Sequence, residues 1–348
     1  MPLPTEYRAY RRTHGDLPRT IELSKETLPT ELAAHEVLIK ILAVSLNYRD
    51  VAMLDGKYPV EVQDRGIPAS DCAAEVVAVG SGVKDFRQGD YVTPIFNLTE
   101  LTGLEDERMQ ALGGDVPGVL REYAVFGREV LVKLPKALSA EEASTLTCAG
   151  VTAWTALNWP ASMSTTRYVL LQGTGGVSMF ALILCHAAGI APIITSSSDE
   201  KLAQIQKIWP EVKGINYKTT PDQEAEVKRL TDGKGVDVVV NNTGVGSVIT
   251  DLKSLRARGG VVSIVGFLAG MSGQWAHSEL MTVMSKKAQI KGIGVGSKID
   301  YACLNAFIEE HNVRFKPLLD RTFSFEEAPQ AFDYLYSGKH VGKVIIKL

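Results

Sequence analysis

An α/β chain of two domains, a β-rich one followed by a doubly wound parallel sheet, is what the sequence predicts. Two observations carry that expectation. From about Arg167 onward, short apolar runs alternate with stretches of helical apolar spacing, the signature of βαβ units joined by right-handed crossovers. Ahead of that point the apolar runs are separated by turn residues, as strands without intervening helices are. At 348 residues the chain is long enough for two cores.

Taken in order, Val37 to Leu46 (VLIKILAVSL) alternates and then runs apolar, as a strand in a well-covered sheet does. Cys72 to Gly80 and Tyr91 to Phe96 read as two more strands, set off by Ser81-Gly82 and Gln88-Gly89-Asp90. Asn97 to Gly118 is polar, glycine-containing and irregular, and is expected to form a surface lobe or lid. The second domain opens with the apolar strand Tyr168 to Gln172. Helix Val177 to Ala188, strand Ala191 to Thr195, helix Lys201 to Ile208 and a short strand Gly214 to Tyr217 follow. Helix Gln223 to Thr231, strand Val236 to Asn241, helix Ser247 to Ala257 and strand Gly260 to Gly266 continue the alternation. After Tyr301 two helices and a last strand, Lys343 to Leu348, close the chain.

Composition excludes several function classes. Basic and acidic residues number 37 and 40 and are interspersed, so neither nucleic acid nor an anionic membrane is expected as a partner. No apolar run is long enough to span a bilayer, and the start of the chain lacks the apolar core of a secretory signal, so a cytoplasmic protein is expected. The four cysteines lie far apart with no CxxC pair, which argues against a disulfide framework. Cys185 reads as a small core residue on an apolar helix face. The six histidines are scattered, none at a convincing spacing from a carboxylate.

The sharpest local signal is Gly173-Thr174-Gly175-Gly176-Val177-Ser178, directly after a strand and opening a helix. Gly173 permits the tight turn, and Gly175 lets the backbone approach a pyrophosphate. Gly176 adds freedom, and Ser178 is small enough to keep helix and sheet close. Free amides at the helix start attract phosphate. This predicts a Rossmann domain over residues 149–296 that binds a nicotinamide dinucleotide. At the end of the second strand, where an NAD site carries Asp or Glu for the ribose, the chain has Ser196-Ser197-Ser198. Hydroxyls from Ser196 and Ser197, with Lys201 one turn on and Tyr217 ending the third strand, would accept a 2′-phosphate, so NADPH is the expected cofactor. The alternative is that Ser198 only caps the helix and Lys201 is a solvated surface residue.

Further landmarks are Ser45-Leu46-Asn47-Tyr48-Arg49-Asp50, AEVVAVGSG at 74–82, Gly89-Asp90-Tyr91-Val92, Cys148-Ala149-Gly150-Val151-Thr152-Ala153-Trp154 and Gly338-Lys339-His340-Val341-Gly342-Lys343-Val344. With the glycine loop they resemble the medium-chain dehydrogenase/reductase superfamily over almost the whole chain, and most nearly its zinc-free branch of quinone oxidoreductases and enoyl reductases. The resemblance implies a GroES-like β-barrel catalytic domain in residues 1–148, the Rossmann domain in 149–296, and a return to the first domain in 297–348. It also implies a homodimer joined through the sheet edge near 284–297.

Zinc-dependent relatives place cysteine where this chain has Asn47 and a His-Glu pair where it has Ser70-Asp71. Only Cys148 keeps a competent ligand type, so no metal is expected. Without a Lewis acid, the resemblance points to an NADPH-dependent reductase acting on a small enone, enoyl or quinone substrate. It implies that Tyr58 either donates the proton or packs at the pocket mouth. Asn47 either hydrogen-bonds substrate or carboxamide or serves as a turn residue. Thr152, Gly266 with Phe267, and Val295 are implied nicotinamide contacts, and Lys343 is implied to approach cofactor phosphate or ribose; each could equally belong to a strand-end turn. A metal-free alcohol/carbonyl oxidoreductase, a redox-neutral enzyme and a non-catalytic NADPH-binding protein stay open as rival readings.

Overall fold

The computed structural model describes residues 5–348 and divides into two compact units. One comprises the chain up to Ala149 together with Gly296–Leu348; the other is Gly150–Val295.

The first unit is built on a seven-stranded sheet in the order Leu319–Ser324, Lys343–Lys347, Glu36–Ser45, Asp71–Val79, Tyr91–Pro94, Leu131–Lys133, with Tyr123–Gly127 also pairing to Glu36–Ser45. Its pairings are antiparallel except between Leu319–Ser324 and Lys343–Lys347. Glu36–Ser45 is the hub because its inward positions Val37, Ile39, Ile41 and Ala43 are all buried, and two register shifts against Asp71–Val79 bend it. A two-stranded sheet, Glu6–Arg12 with Ile21–Thr27, packs in the same unit. The C-terminal segment is fastened by Glu142, which is buried and accepts from Arg314 Nη2 at 2.6 Å and from the Phe315 amide at 2.8 Å. Such a charge-assisted pair is among the stronger ties available to a chain returning from a distance.

The second unit holds a six-stranded, fully parallel sheet: Lys213–Asn216, Ala191–Ser196, Tyr168–Gln172, Val238–Asn241, Val261–Ile264, Gln289–Gly292. Its centre is apolar on both faces, as a parallel sheet covered by helices must be, with Leu170, Ile193, Ile215, Val239 and Val262 in one buried cluster. Each such side chain contributes about 1.5–3 kcal/mol by leaving water. Helix Gly176–Ala187 is buried along most of its length, Cys185 included.

Several strands escape sequence reading. Glu6–Arg12, Ile21–Thr27, Tyr123–Gly127, Leu319–Ser324 and Gln289–Gly292 mix charged with apolar residues because at least one face or edge meets solvent. The segment 97–118 is exposed or half-buried from 98 to 110, as a surface lobe would be, but its later part departs from that expectation. Ala111, Leu112, Gly113 and Gly114 are buried, because the buried guanidinium groups of Arg49 and Arg12 donate to the carbonyls of Leu112 and Gly113. Among the described residues no helix is long and apolar enough to cross a membrane.

Candidate active site

In the second unit, the strand Tyr168–Gln172 breaks at Gly173, whose φ of +80° is a conformation that strongly favours glycine. Gly175 stands at the N-cap of helix Gly176–Ala187. A Cβ on Gly173 or Gly175 would meet nothing within 4 Å, so the space before the loop is open. The turn is braced from behind. Ser178 Oγ donates to Gln172 O at 2.8 Å, Asn242 Nδ2 donates to that same oxygen at 3.1 Å, and the Gly173 amide donates to Thr195 Oγ1 at 3.3 Å. Thr174 is buried, while Gly176 and Val177 begin the helix, whose first-turn amides have no carbonyl partner within it. Rigid turn, open front and helix start together form a cradle for an anion.

At the end of the next strand, Ser196 is buried and Ser197 exposed, and the Tyr217 amide donates to Ser196 O at 3.1 Å. The ends of these two strands therefore lie side by side. Ser198 accepts from the Lys201 amide at 3.3 Å and caps helix Asp199–Ile208, in whose first turn Lys201 sits. Asp199 accepts from Asn216 Nδ2 at 2.8 Å, so the nearest carboxylate is already engaged. Thr152 is buried in helix Val151–Ala156. Gly266 and Phe267 follow strand Val261–Ile264, and the Val265 and Gly266 amides both donate to Asn241 O. Val295 has φ +73°, strained for a β-branched residue, and its carbonyl is pinned by Thr155 Oγ1 at 2.6 Å.

In the first unit, Asn47 precedes helix Tyr48–Leu54, and its amide donates to Asp50 Oδ2 at 2.8 Å. Its side-chain oxygen accepts from Lys343 Nζ at 2.6 Å, which fixes the orientation of the amide group. Asn47 Nδ2 is left buried with no hydrogen-bond partner. Lys343 is itself buried, donates to Leu46 O at 2.8 Å, and lies 3.8 Å from Asp71 Oδ2. Its ammonium is thus turned into the first unit, giving it a role there that the residue pattern did not announce. Ser70 Oγ donates to Asp71 Oδ1 at 2.6 Å. Burial, with the charge of Asp71 adding, pushes the Cys148 thiol up to about 12. Tyr58 is half-buried; burial raises its pKa, while the neighbouring Arg49 opposes that rise.

Sequence reading missed Arg49, the Lys343–Asn47 link and the network around Asp251. Two adjacent charges, Arg49 and Asp50, inside the otherwise apolar helix YRDVAML could have flagged the first. Two histidines do pair with carboxylates, His14 with Asp64 at 2.9 Å and His186 with Glu211 at 2.8 Å. Both pairs are exposed and join positions far apart in the chain, which spacing cannot reveal. Among the described residues no group of three or more His, Cys, Asp or Glu side chains is placed to hold a metal ion.

Comparison with known proteins gives the following. Residues 33–136 match the alcohol dehydrogenase GroES-like domain, and residues 176–310 match the zinc-binding dehydrogenase domain. A zinc-type alcohol dehydrogenase-like protein of Schizosaccharomyces pombe is 36% identical over 92% of this chain and 93% of its own length. The 2-methylene-furan-3-one reductase of Solanum lycopersicum is 27% identical over 99% of this chain and 80% of its own. A crystal structure from Sinorhizobium meliloti 1021, assigned as an alcohol dehydrogenase, superposes with a TM-score of 0.89 at 33% identity, covering 99% of this chain and 100% of that one.

Proposed function

Given that the chain belongs to the medium-chain dehydrogenase/reductase superfamily and is an oxidoreductase, we propose that it is an NADPH-dependent, zinc-independent reductase that adds hydride to an α,β-unsaturated carbonyl compound or a quinone. The observation that carries this reading is the pairing of Lys343 with Asn47 and Asp71. In a zinc enzyme of this family two thiolates and a histidine would converge on the ion. Here the corresponding side chains are an amide, a hydroxyl beside a carboxylate, and a thiol raised to about 12, with an ammonium already next to the carboxylate. A second cation would be repelled by the ammonium, and one thiol with an amide and a hydroxyl is a poor tetrahedral set, so the donor set does not fit zinc.

Reducing an activated C=C makes a smaller demand than polarising an alcohol: hydrogen-bond donors suffice for the developing enolate oxygen. Bound NADPH supplies the hydride. The 173–178 cradle would hold the pyrophosphate. Ser196, Ser197, Tyr217 and Lys201 would receive the 2′-phosphate, a reading favoured by Asp199 being held by Asn216. Thr152, Gly266, Phe267 and Val295 would confine the nicotinamide. Asn47 Nδ2, a donor locked in place and lacking an acceptor, suits a substrate oxygen. Tyr58 is the proton source for the α-carbon. The similarity to a 2-methylene-furan-3-one reductase supports an enone over a simple alcohol.

The test is spectrophotometric NADPH oxidation against enones, quinones, ketones and alcohols. Consumption with enones or quinones is expected. Activity confined to alcohols would overturn the proposal in favour of alcohol/carbonyl chemistry.

A further inference from the structure

We propose that Arg49 is a positioning residue for Tyr58: its buried guanidinium holds the phenol in place and balances the phenolate left when the hydroxyl gives up its proton. The inference rests on Tyr58 as proton donor. When the enolate is protonated, the Tyr58 O–H bond breaks and its electron pair stays on the phenol oxygen. A C–H bond forms at the α-carbon from the enolate's electron pair, and solvent later returns a proton to the phenolate. A buried phenolate is costly unless a cation stands by.

Arg49 is placed to be that cation. It is only 6% exposed, and its guanidinium carbon lies 5.7 Å from the centre of the Tyr58 ring and 4.8 Å from that of Phe96. Nη1 donates to Leu112 O at 2.8 Å, which anchors the side chain. Its nearest carboxylate, Asp50 Oδ1, is 4.0 Å away, beyond hydrogen-bond reach, and Arg49 Nε is buried with no hydrogen-bond partner. The positive charge is therefore not consumed by a tight ion pair. A cation so poorly paired is an expensive way merely to fill space, since an apolar side chain of that volume would avoid the desolvation. The side chains acting most strongly on the Tyr58 hydroxyl are Arg49, Cys148 and Asp50. Of these only Arg49 favours the ionised phenol; the other two and burial oppose it. Helix Tyr48–Leu54 thus supplies both a donor, through Asn47 at its cap, and the counter-charge for the proposed acid, through Arg49.

The experiment compares Arg49→Met, Arg49→Lys, Tyr58→Phe and the Arg49→Met/Tyr58→Phe double variant. Two measurements are made: kcat for enone reduction across pH, and alkaline titration of Tyr58 as a difference spectrum against Tyr58→Phe. Arg49→Met is expected to raise the Tyr58 midpoint by about one pH unit, to carry the basic limb of kcat upward with it, and to lower kcat about tenfold, with Arg49→Lys recovering much of each. The double variant is expected to be no slower than Tyr58→Phe alone. Gly114→Ala gives a second route that keeps the charge: its Cβ would lie 2.8 Å from Arg49 Nη2 and push the guanidinium aside, and a smaller shift in the same direction is expected. An unmoved Tyr58 midpoint, or losses that add in the double variant, overturns the proposal alone. Full activity in Tyr58→Phe would remove the proton-donor reading and the proposal together.

Discussion

Asn47 and Lys343 explain each other. The lysine ammonium fixes which end of the amide faces inward, and Asn47 with Leu46 O gives a buried cation two acceptors in addition to the Asp71 charge. Replacing Lys343 by Met leaves Asp71 buried without that cation. The expected loss is about 3–5 kcal/mol in urea unfolding, together with reduced turnover in whatever protein folds. A loss below about 1 kcal/mol would mean that the ammonium is not the partner of Asp71. At the second strand's end, Ser196→Asp places a carboxylate where the 2′-phosphate is expected. Coenzyme fluorescence titration should show the NADPH-to-NADH affinity ratio falling at least about tenfold, through like-charge repulsion. An unchanged ratio would remove Ser196 from phosphate recognition.

Among the elements, the one that bears the glycine loop is supported by a buried polar network. Asp251 accepts from Gln172 Nε2 and Asn241 Nδ2, each at 2.7 Å, and from Ser247 Oγ at 2.9 Å. Burial pushes its carboxyl up to about 7 in spite of these donors. In the unfolded chain it would titrate near 4, roughly the free-aspartate value. Because the folded value is the higher, the folded state binds the extra proton. The resulting stabilisation is full below about pH 4 and is lost as pH rises through about 7. Urea midpoints should show this fall, and Asp251→Asn should flatten it while lowering stability at acid pH, since the new NH2 group faces donors. A slope retained in Asp251→Asn would assign the pH dependence elsewhere. This network was invisible in the sequence because Gln172 and Asp251 are 79 residues apart. The strand and helix on either side of the loop were legible to within one residue, since the apolar run YVLLQ stops at a glycine that must adopt positive φ. Strand Gln289–Gly292 was not, because all four of its residues are exposed and carry no apolar pattern. The glycine loop could be read because its signal is local. The Arg49–Leu112 tie, spanning 63 residues, could not.

For the molecule as a whole, that exposed edge strand is where we expect two copies to join. Ile290 is exposed on it, Met281 and Met284 are exposed in the helical segments just before it, and a sheet edge with unpaired backbone groups invites a second copy. Sedimentation is expected to give a homodimer, and Ile290→Lys to weaken it; a wild-type monomer at micromolar concentration would refute this. The central proposal for the molecule is NADPH-dependent hydride transfer that needs no zinc. Its most direct test uses protein stripped by chelation and shown by elemental analysis to contain no zinc, supplied with NADPH deuterated at the transferable position and an enone. Deuterium should appear on the β-carbon at the rate given by untreated protein. Transfer that stops on stripping and returns only with stoichiometric zinc would contradict it.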